Sequence, residues 1–137
     1  MDLVRFSFSI EKPLAARLEK MIAASHSENR SEFIRAMIRG RMVEEEWEKN
    51  QEALGTITLI YDHHQRLLSE KLTEIQHHHH ANVMAATHIH LDEHLCAEMI
   101  MVRGHAAEIR HLTDHLQRQK GILHAALSMS STGKKLA

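Results

Sequence analysis

The 137-residue sequence predicts an α+β fold in two parts, and three observations carry that expectation. Residues 1–50 hold one short alternating strand followed by two amphipathic helical stretches. Residues 51–130 run in the order strand-helix-strand-strand-helix-strand. Within that second part, the stretch HHHHANVMAATHIHLDEHLC at 77–96 gathers seven of the fourteen histidines and the single cysteine. Residues 131–137 read as a polar tail, expected to be disordered.

The opening LVRFSFSI alternates, with Phe6, Phe8 and Ile10 on one face and Arg5, Ser7 and Ser9 on the other. Pro13 suits a helix start, where its missing N–H costs nothing. Leu14, Leu18, Met21 and Ile22 follow at helical spacing, and SHSE at 25–28 ends that helix. Asn29 and Glu32 form a cap pair for a second helix, with Phe33, Ile34, Met37, Ile38 and Met42 on its buried face. One strand and two helices cannot close a core alone, and a single strand has two unpaired edges. Pairing two chains antiparallel into a two-stranded ribbon over four helices is the economical solution. Arg5, Ser7 and Ser9 of both chains then project from one ribbon face, which fits the major groove of DNA, where Arg bonds bidentately to guanine. A dimerisation strand with a merely solvated polar face satisfies the same pattern. The free backbone N–H groups at Asn29, Arg30 and Ser31 suit a phosphate.

An acidic run (Glu44, Glu45, Glu46, Glu48) and a break at Gly55 lead into the second part. A strand is expected at 56–63, then a helix at 66–76 with Leu67, Leu68, Leu72 and Ile75 inward. Strands follow at 83–91 and 96–104. A helix at 106–120 buries Ile109, Leu112 and Leu116, and a last strand covers 122–129. That order is the ferredoxin-like split βαβ arrangement, two helices on one face of a four-stranded antiparallel sheet.

Along the strand at 83–90, alternate residues share a face, so His88 and His90 point the same way with Cβ atoms about 7 Å apart. A short hairpin returns the chain so that Cys96 lies beside His90. Two imidazoles and a thiolate on one hairpin make a metal site lacking a fourth ligand. That donor set excludes Mg²⁺ and Ca²⁺, which prefer oxygen. Zn²⁺ takes the same atoms in a tetrahedron, and a flat arrangement favours Ni(II) or Cu(II). His63, His79 and His80 are further candidates for weaker metal.

Composition narrows the function classes. A net charge of −1 gives no global attraction to nucleic acid, yet residues 1–43 carry eight Lys/Arg against five Asp/Glu, a local +3. One cysteine excludes an intramolecular disulfide, and no apolar run reaches about 18 residues, so a cytoplasmic location away from membranes is expected. There is no His-Glu-x-x-His and no carboxylate set as a general base beside a metal, so an enzyme is not expected.

The segment NRSEFIR resembles the start of the second helix of a ribbon-helix-helix DNA-binding domain. Together with RFSFSI, the acidic helix, Tyr61-Asp62-His63, QHHHH at 76–80, THIH at 87–90 and Cys96-Ala97-Glu98, it makes nearly the whole chain similar to NikR-type nickel-responsive transcriptional regulators. The resemblance implies a 1–50 ribbon-helix-helix domain and a 51–130 ACT-like domain assembled into a homotetramer, a dimer of dimers. It implies Ni(II) held by His88, His90 and Cys96 of one chain and His77 of a neighbour. It also implies Arg5, Ser7 and Ser9 contacting double-stranded operator DNA, and a metal-dependent repressor. Family members often carry Thr where this chain has Ser7 and Ser9. Glu98 matches a position that supports the ligands, and Glu32 matches part of a second cation site whose acidic partner is replaced here by Ala36. The competing readings are a sensor of Zn, Co or Cu and a small-molecule-responsive repressor of the same fold.

Overall fold

The computed structural model describes residues 2–137, which divide into two compact units, the first ending at Gly40 and the second spanning Arg41–Ala137. Helix α1 spans Lys12–Ala24 and helix α2 spans Arg30–Glu48. Strand β1 (Glu52–Asp62), helix α3 (Leu68–His78), strands β2 (Val83–His90) and β3 (Leu95–His105), helix α4 (Ala106–Gln117) and strand β4 (Ile122–Ser130) follow. All strands pair antiparallel in the order β2-β3-β1-β4, the ferredoxin-like arrangement the element order implies.

In the first unit the helix signals hold. Pro13 sits in the first turn of α1, and Asn29 Oδ1 accepts the Glu32 backbone N–H at 2.9 Å, capping α2. The Glu32 carboxylate turns to Arg35 instead of returning to Asn29. Two features expected of a pair of chains are not present within one. Residues 2–11 form no strand within the chain, since an alternating segment gains a ladder only from a neighbouring strand and this unit supplies none. Met37 and Ile38, expected inside, are more than half exposed, and α1 buries no residue at all. Phe6 and Phe8 are likewise exposed, at 88% and 63%. Thirty-odd residues with two helices and no sheet enclose too little volume to cover those side chains.

The second unit has a closed core. Alternate β1 residues (Ala53, Gly55, Ile57, Leu59, Tyr61) face the helices. Ile100 and Val102 of β3, Leu68, Leu72 and Ile75 of α3, and Ile109, Leu112 and Leu116 of α4 complete the cluster. Trp47, in the last turn of α2, is also buried there; its Nε1 donates to the Ser130 carbonyl at 2.9 Å, and the Arg110 guanidinium lies 5.5 Å from its ring centre. Gly55 is therefore no break but the middle of β1. A Cβ there would stand 3.1 Å from Leu127 Cδ1, 3.3 Å from Ile109 Cγ2 and 3.4 Å from Trp47. The link from α2 to β1 is tied down as well: Gln51 N–H donates to the Glu46 carbonyl at 2.8 Å, and Ala107 N–H to Asn50 Oδ1 at 2.8 Å.

Leu67, expected inside, is the residue before α3, 63% exposed, with φ +65°. That left-handed conformation turns the chain into the helix and points the side chain outward. The tail expected to be disordered folds back onto the sheet through Lys134, whose Nζ lies 3.3 Å from Glu52 Oε2. Trp47→Ala is expected to cost about 3–5 kcal/mol, as for other buried aromatics. Leu67→Gly is expected to leave stability unchanged or raise it by up to about 1 kcal/mol by relieving the left-handed leucine. Urea unfolding of both variants checks the pair, and a Leu67→Gly loss as large as that of Trp47→Ala would mean Leu67 is packed.

Candidate metal centre and nucleic-acid segment

The site is set by how β2 and β3 pair. His90 lies opposite Cys96, and His88 opposite Glu98. Cys96 in turn lies opposite Tyr61 of β1, and Glu98 opposite Leu59. Directly opposed residues share a sheet face, so His88, His90, Cys96, Glu98 and Tyr61 all stand on the helix-bearing side. The His88 and His90 rings stack with centres 5.2 Å apart, and Tyr61 lies 6.0 Å from His88.

Cys96 is fully buried, and its Sγ donates to the Tyr61 carbonyl at 3.4 Å. Burial pushes its thiol pKa up, because the charged thiolate is the form that loses solvation. Burial, and then the neighbouring Glu98 and Cys96, push the Tyr61 hydroxyl up as well. Glu98 is occupied on both oxygens: Tyr61 Oη donates to Oε2 at 3.3 Å, and Gln76 Nε2 to Oε1 at 3.1 Å. Those bonds fix Glu98 as a brace between β1, β3 and α3, one residue from the histidine block.

His77 stands exposed in the last turn of α3, with its ring 6.4 Å from that of His80. It is thus on the surface and not among the β2–β3 group. His79 is pulled inward; burial and the nearby His111, His115 and His78 hold its pKa below the ordinary histidine value. His63 packs edge-on against His90, with ring centres 4.9 Å apart.

Among the described residues, the one trio of His, Cys, Asp or Glu side chains whose donor atoms all fall within 4.8 Å of one another is Asp62, His64 and His94. The sequence spacing did not single out His64 or His94. They lie on separate turns, the first just past β1 and the second in the β2–β3 hairpin, so no local pattern joins them. The only signal was histidine density near Tyr61-Asp62.

Arg5, Ser7 and Ser9 lie in the extended segment 2–11, and all three are exposed. Arg30 and Ser31, at the start of α2, are exposed as well. The polar residues proposed to meet DNA are therefore accessible, and the alternate residues Phe6, Phe8 and Ile10 form a second, apolar set.

Comparison with known proteins fits both halves. Residues 4–45 match the family model described as "Ribbon-helix-helix protein, copG family", and residues 54–130 the model described as "NikR C terminal nickel binding domain". A relative from Geobacter sulfurreducens is 46% identical over 136 residues, covering 98% of both chains. One from Geotalea uraniireducens is 45% identical over 136 residues with the same coverage, and one from Caldanaerobacter subterraneus is 41% identical over 135 residues, covering 98% of this chain and 88% of its own. All three carry the name "Putative nickel-responsive regulator". An uncharacterized protein from Thermotoga maritima superposes with a TM-score of 0.52 at 10% identity, covering 58% of this chain and 98% of its own, a likeness of fold alone. With a match across nearly its full length and both domain models in the same order, the chain belongs to the NikR family of nickel-responsive regulators.

Proposed function

We propose that this chain is a Ni(II)-dependent repressor that grips a palindromic operator through paired N-terminal segments, in a homotetramer acting in the cytoplasm. The observation that carries the reading is the β2–β3 register, which sets His90 across from Cys96 and His88 one row away on the same face. Domain boundaries at 1–50 and 51–130 go with it. Among the described residues, no helix is long and apolar enough to cross a membrane.

In this reading His88 and His90 supply imidazole nitrogens and Cys96 a thiolate, with the fourth donor His77 of a neighbouring chain. The buried thiol must give up its proton on binding, and the histidines must be neutral. The donor set is a sound one for a late first-row ion, combining soft sulfur with imidazole. Glu98, braced by Tyr61 and Gln76, holds the row beside His88 in place. A ligand set split between chains means that metal binds the assembled state in preference to separated subunits, and so stabilises it by mass action.

The exposed apolar residues of the first unit support the DNA half of the reading. Phe6, Phe8, Met37 and Ile38 are covered if two chains pair residues 2–11 as a ribbon over their helices. Arg5, Ser7 and Ser9 then line the opposite ribbon face towards base edges.

Three expected outcomes follow from this assignment. Operator affinity, measured at fixed salt with and without Ni(II), should rise with the metal by the coupling typical of allosteric pairs, about 1–3 kcal/mol; equal affinities would refute a metal-controlled repressor. Cys96→Ala should lose tight Ni(II) binding in equilibrium dialysis while keeping the assembly, whereas parental affinity in that variant would remove Cys96 from the ligand set. Arg5→Ala should weaken operator binding by about 1–3 kcal/mol in a gel-shift titration, the worth of one bidentate base contact. An unchanged titration would make the polar ribbon face merely solvated.

A further inference from the structure

Asp62, His64 and His94 form a constellation separate from the Cys96 row and owing nothing to the cysteine. His64 Nδ1 lies 3.2 Å from His94 Nδ1 and 3.4 Å from Asp62 Oδ1. Two donors about 2.05 Å from a common ion stand about 3.3 Å apart at a tetrahedral angle and about 2.9 Å apart at a right angle. Both separations are close to those of neighbouring tetrahedral ligands, and all three donor atoms lie within 4.8 Å of one another, so small side-chain rotations bring them onto one ion.

The backbone beneath this trio is fixed before any ligand arrives. Asp62 Oδ1 accepts the His64 backbone N–H at 2.9 Å, and Asp92 Oδ1 accepts the His94 backbone N–H at 2.8 Å. The two turns are joined to each other by His63, whose backbone N–H donates to the His94 carbonyl at 2.9 Å and whose Nε2 lies 2.6 Å from the Glu93 carbonyl. His63 also packs its ring 4.0 Å from that of His64. His64 and His94 are exposed, leaving room for water as a fourth ligand. Three protein donors with an open position and solvent access describe an exchangeable site.

We propose that Asp62, His64 and His94 bind a second divalent transition-metal ion, of the tetrahedral N₂O kind suited to Zn²⁺ or Co²⁺. An ion there would clamp the turn after β1 to the β2–β3 hairpin, whose two ends carry His90 and Cys96. The trio uses none of the donors assigned to the Cys96 centre, so the two sites stand or fall separately.

Co(II) titration of the full-length protein, followed by its visible ligand-field absorption, tests the site because a tetrahedral ion absorbs far more strongly than a hydrated octahedral one. The titration is run on the parent, on Cys96→Ala and on the double variant His64→Ala/His94→Ala. Both replaced side chains are exposed and the backbone bonds persist, so the double variant should fold, which circular dichroism verifies. The tetrahedral bands should survive in Cys96→Ala without any sulfur charge-transfer band. In the double variant the component present in Cys96→Ala should disappear, with an affinity loss of at least about 10–100-fold. Asp62→Asn should weaken binding at the same site. Bands of undiminished intensity and midpoint in the double variant, or no tetrahedral bands in Cys96→Ala, would overturn the proposal.

Discussion

The constraint on which the rest depends is the pairing of β2 with β3. Because side chains alternate along a strand, a slip of one residue would carry His88 and His90 to the opposite face from Cys96. The observed register, His90 opposite Cys96, is held from both sides. On one side the hairpin at 91–94 is closed by Asp92, which accepts the backbone N–H groups of His94 and Leu95. On the other, β3 is locked to β1 over its whole length, with Tyr61 opposite Cys96. Val102, Ile100 and Cys96 are all buried on that locked face, so sliding β3 would expose them. Burial of the core thus fixes where the two imidazoles stand.

The two units differ in how their apolar residues are satisfied. In the second, Ile57, Leu59, Ile100, Ile109, Leu112 and Leu116 are buried within the chain, although His88, His90 and Met129 on the helix-bearing face stay exposed. In the first, the large apolar residues Leu3, Val4, Phe6, Phe8, Leu14, Met21, Met37 and Ile38 stay exposed. So much exposed apolar surface in so small a unit marks an interaction surface. The polar set (Arg5, Ser7, Ser9) and the apolar set (Phe6, Phe8, Ile10) therefore belong to the same ten residues, alternating along them. In the proposed ribbon the two sets fall on opposite faces, so that reading would tie chain association to DNA contact.

Much of this was legible in the chain itself. The 3.6-residue spacing of Leu68, Leu72 and Ile75, and of Ile109, Leu112 and Leu116, identified the inward faces of α3 and α4, and all six are buried. The element order led to the sheet order. What failed, failed for stated reasons. Leu67 fits the apolar stripe by spacing but precedes the helix in a left-handed turn, and periodicity carries no information on where a helix begins. Gly55 read as punctuation because glycine commonly breaks strands, whereas here it makes room for Trp47, Leu127 and Ile109. Met37 and Ile38 are a different case: their helical spacing marks a buried face, and their exposure in one chain agrees with a unit expected to close its core only against a second copy. The Asp62–His64–His94 trio stayed hidden because its members meet only once two turns distant in sequence are brought together by His63.

The most direct test of the account is the nickel K-edge X-ray absorption spectrum of the loaded full-length protein. The account predicts a first shell holding sulfur together with imidazole nitrogens, which follows from a thiolate at Cys96 facing the His88–His90 pair. A shell of nitrogen and oxygen alone, with no sulfur, would contradict it, because the ion would then be bound by the surface histidines and not by the β2–β3 row.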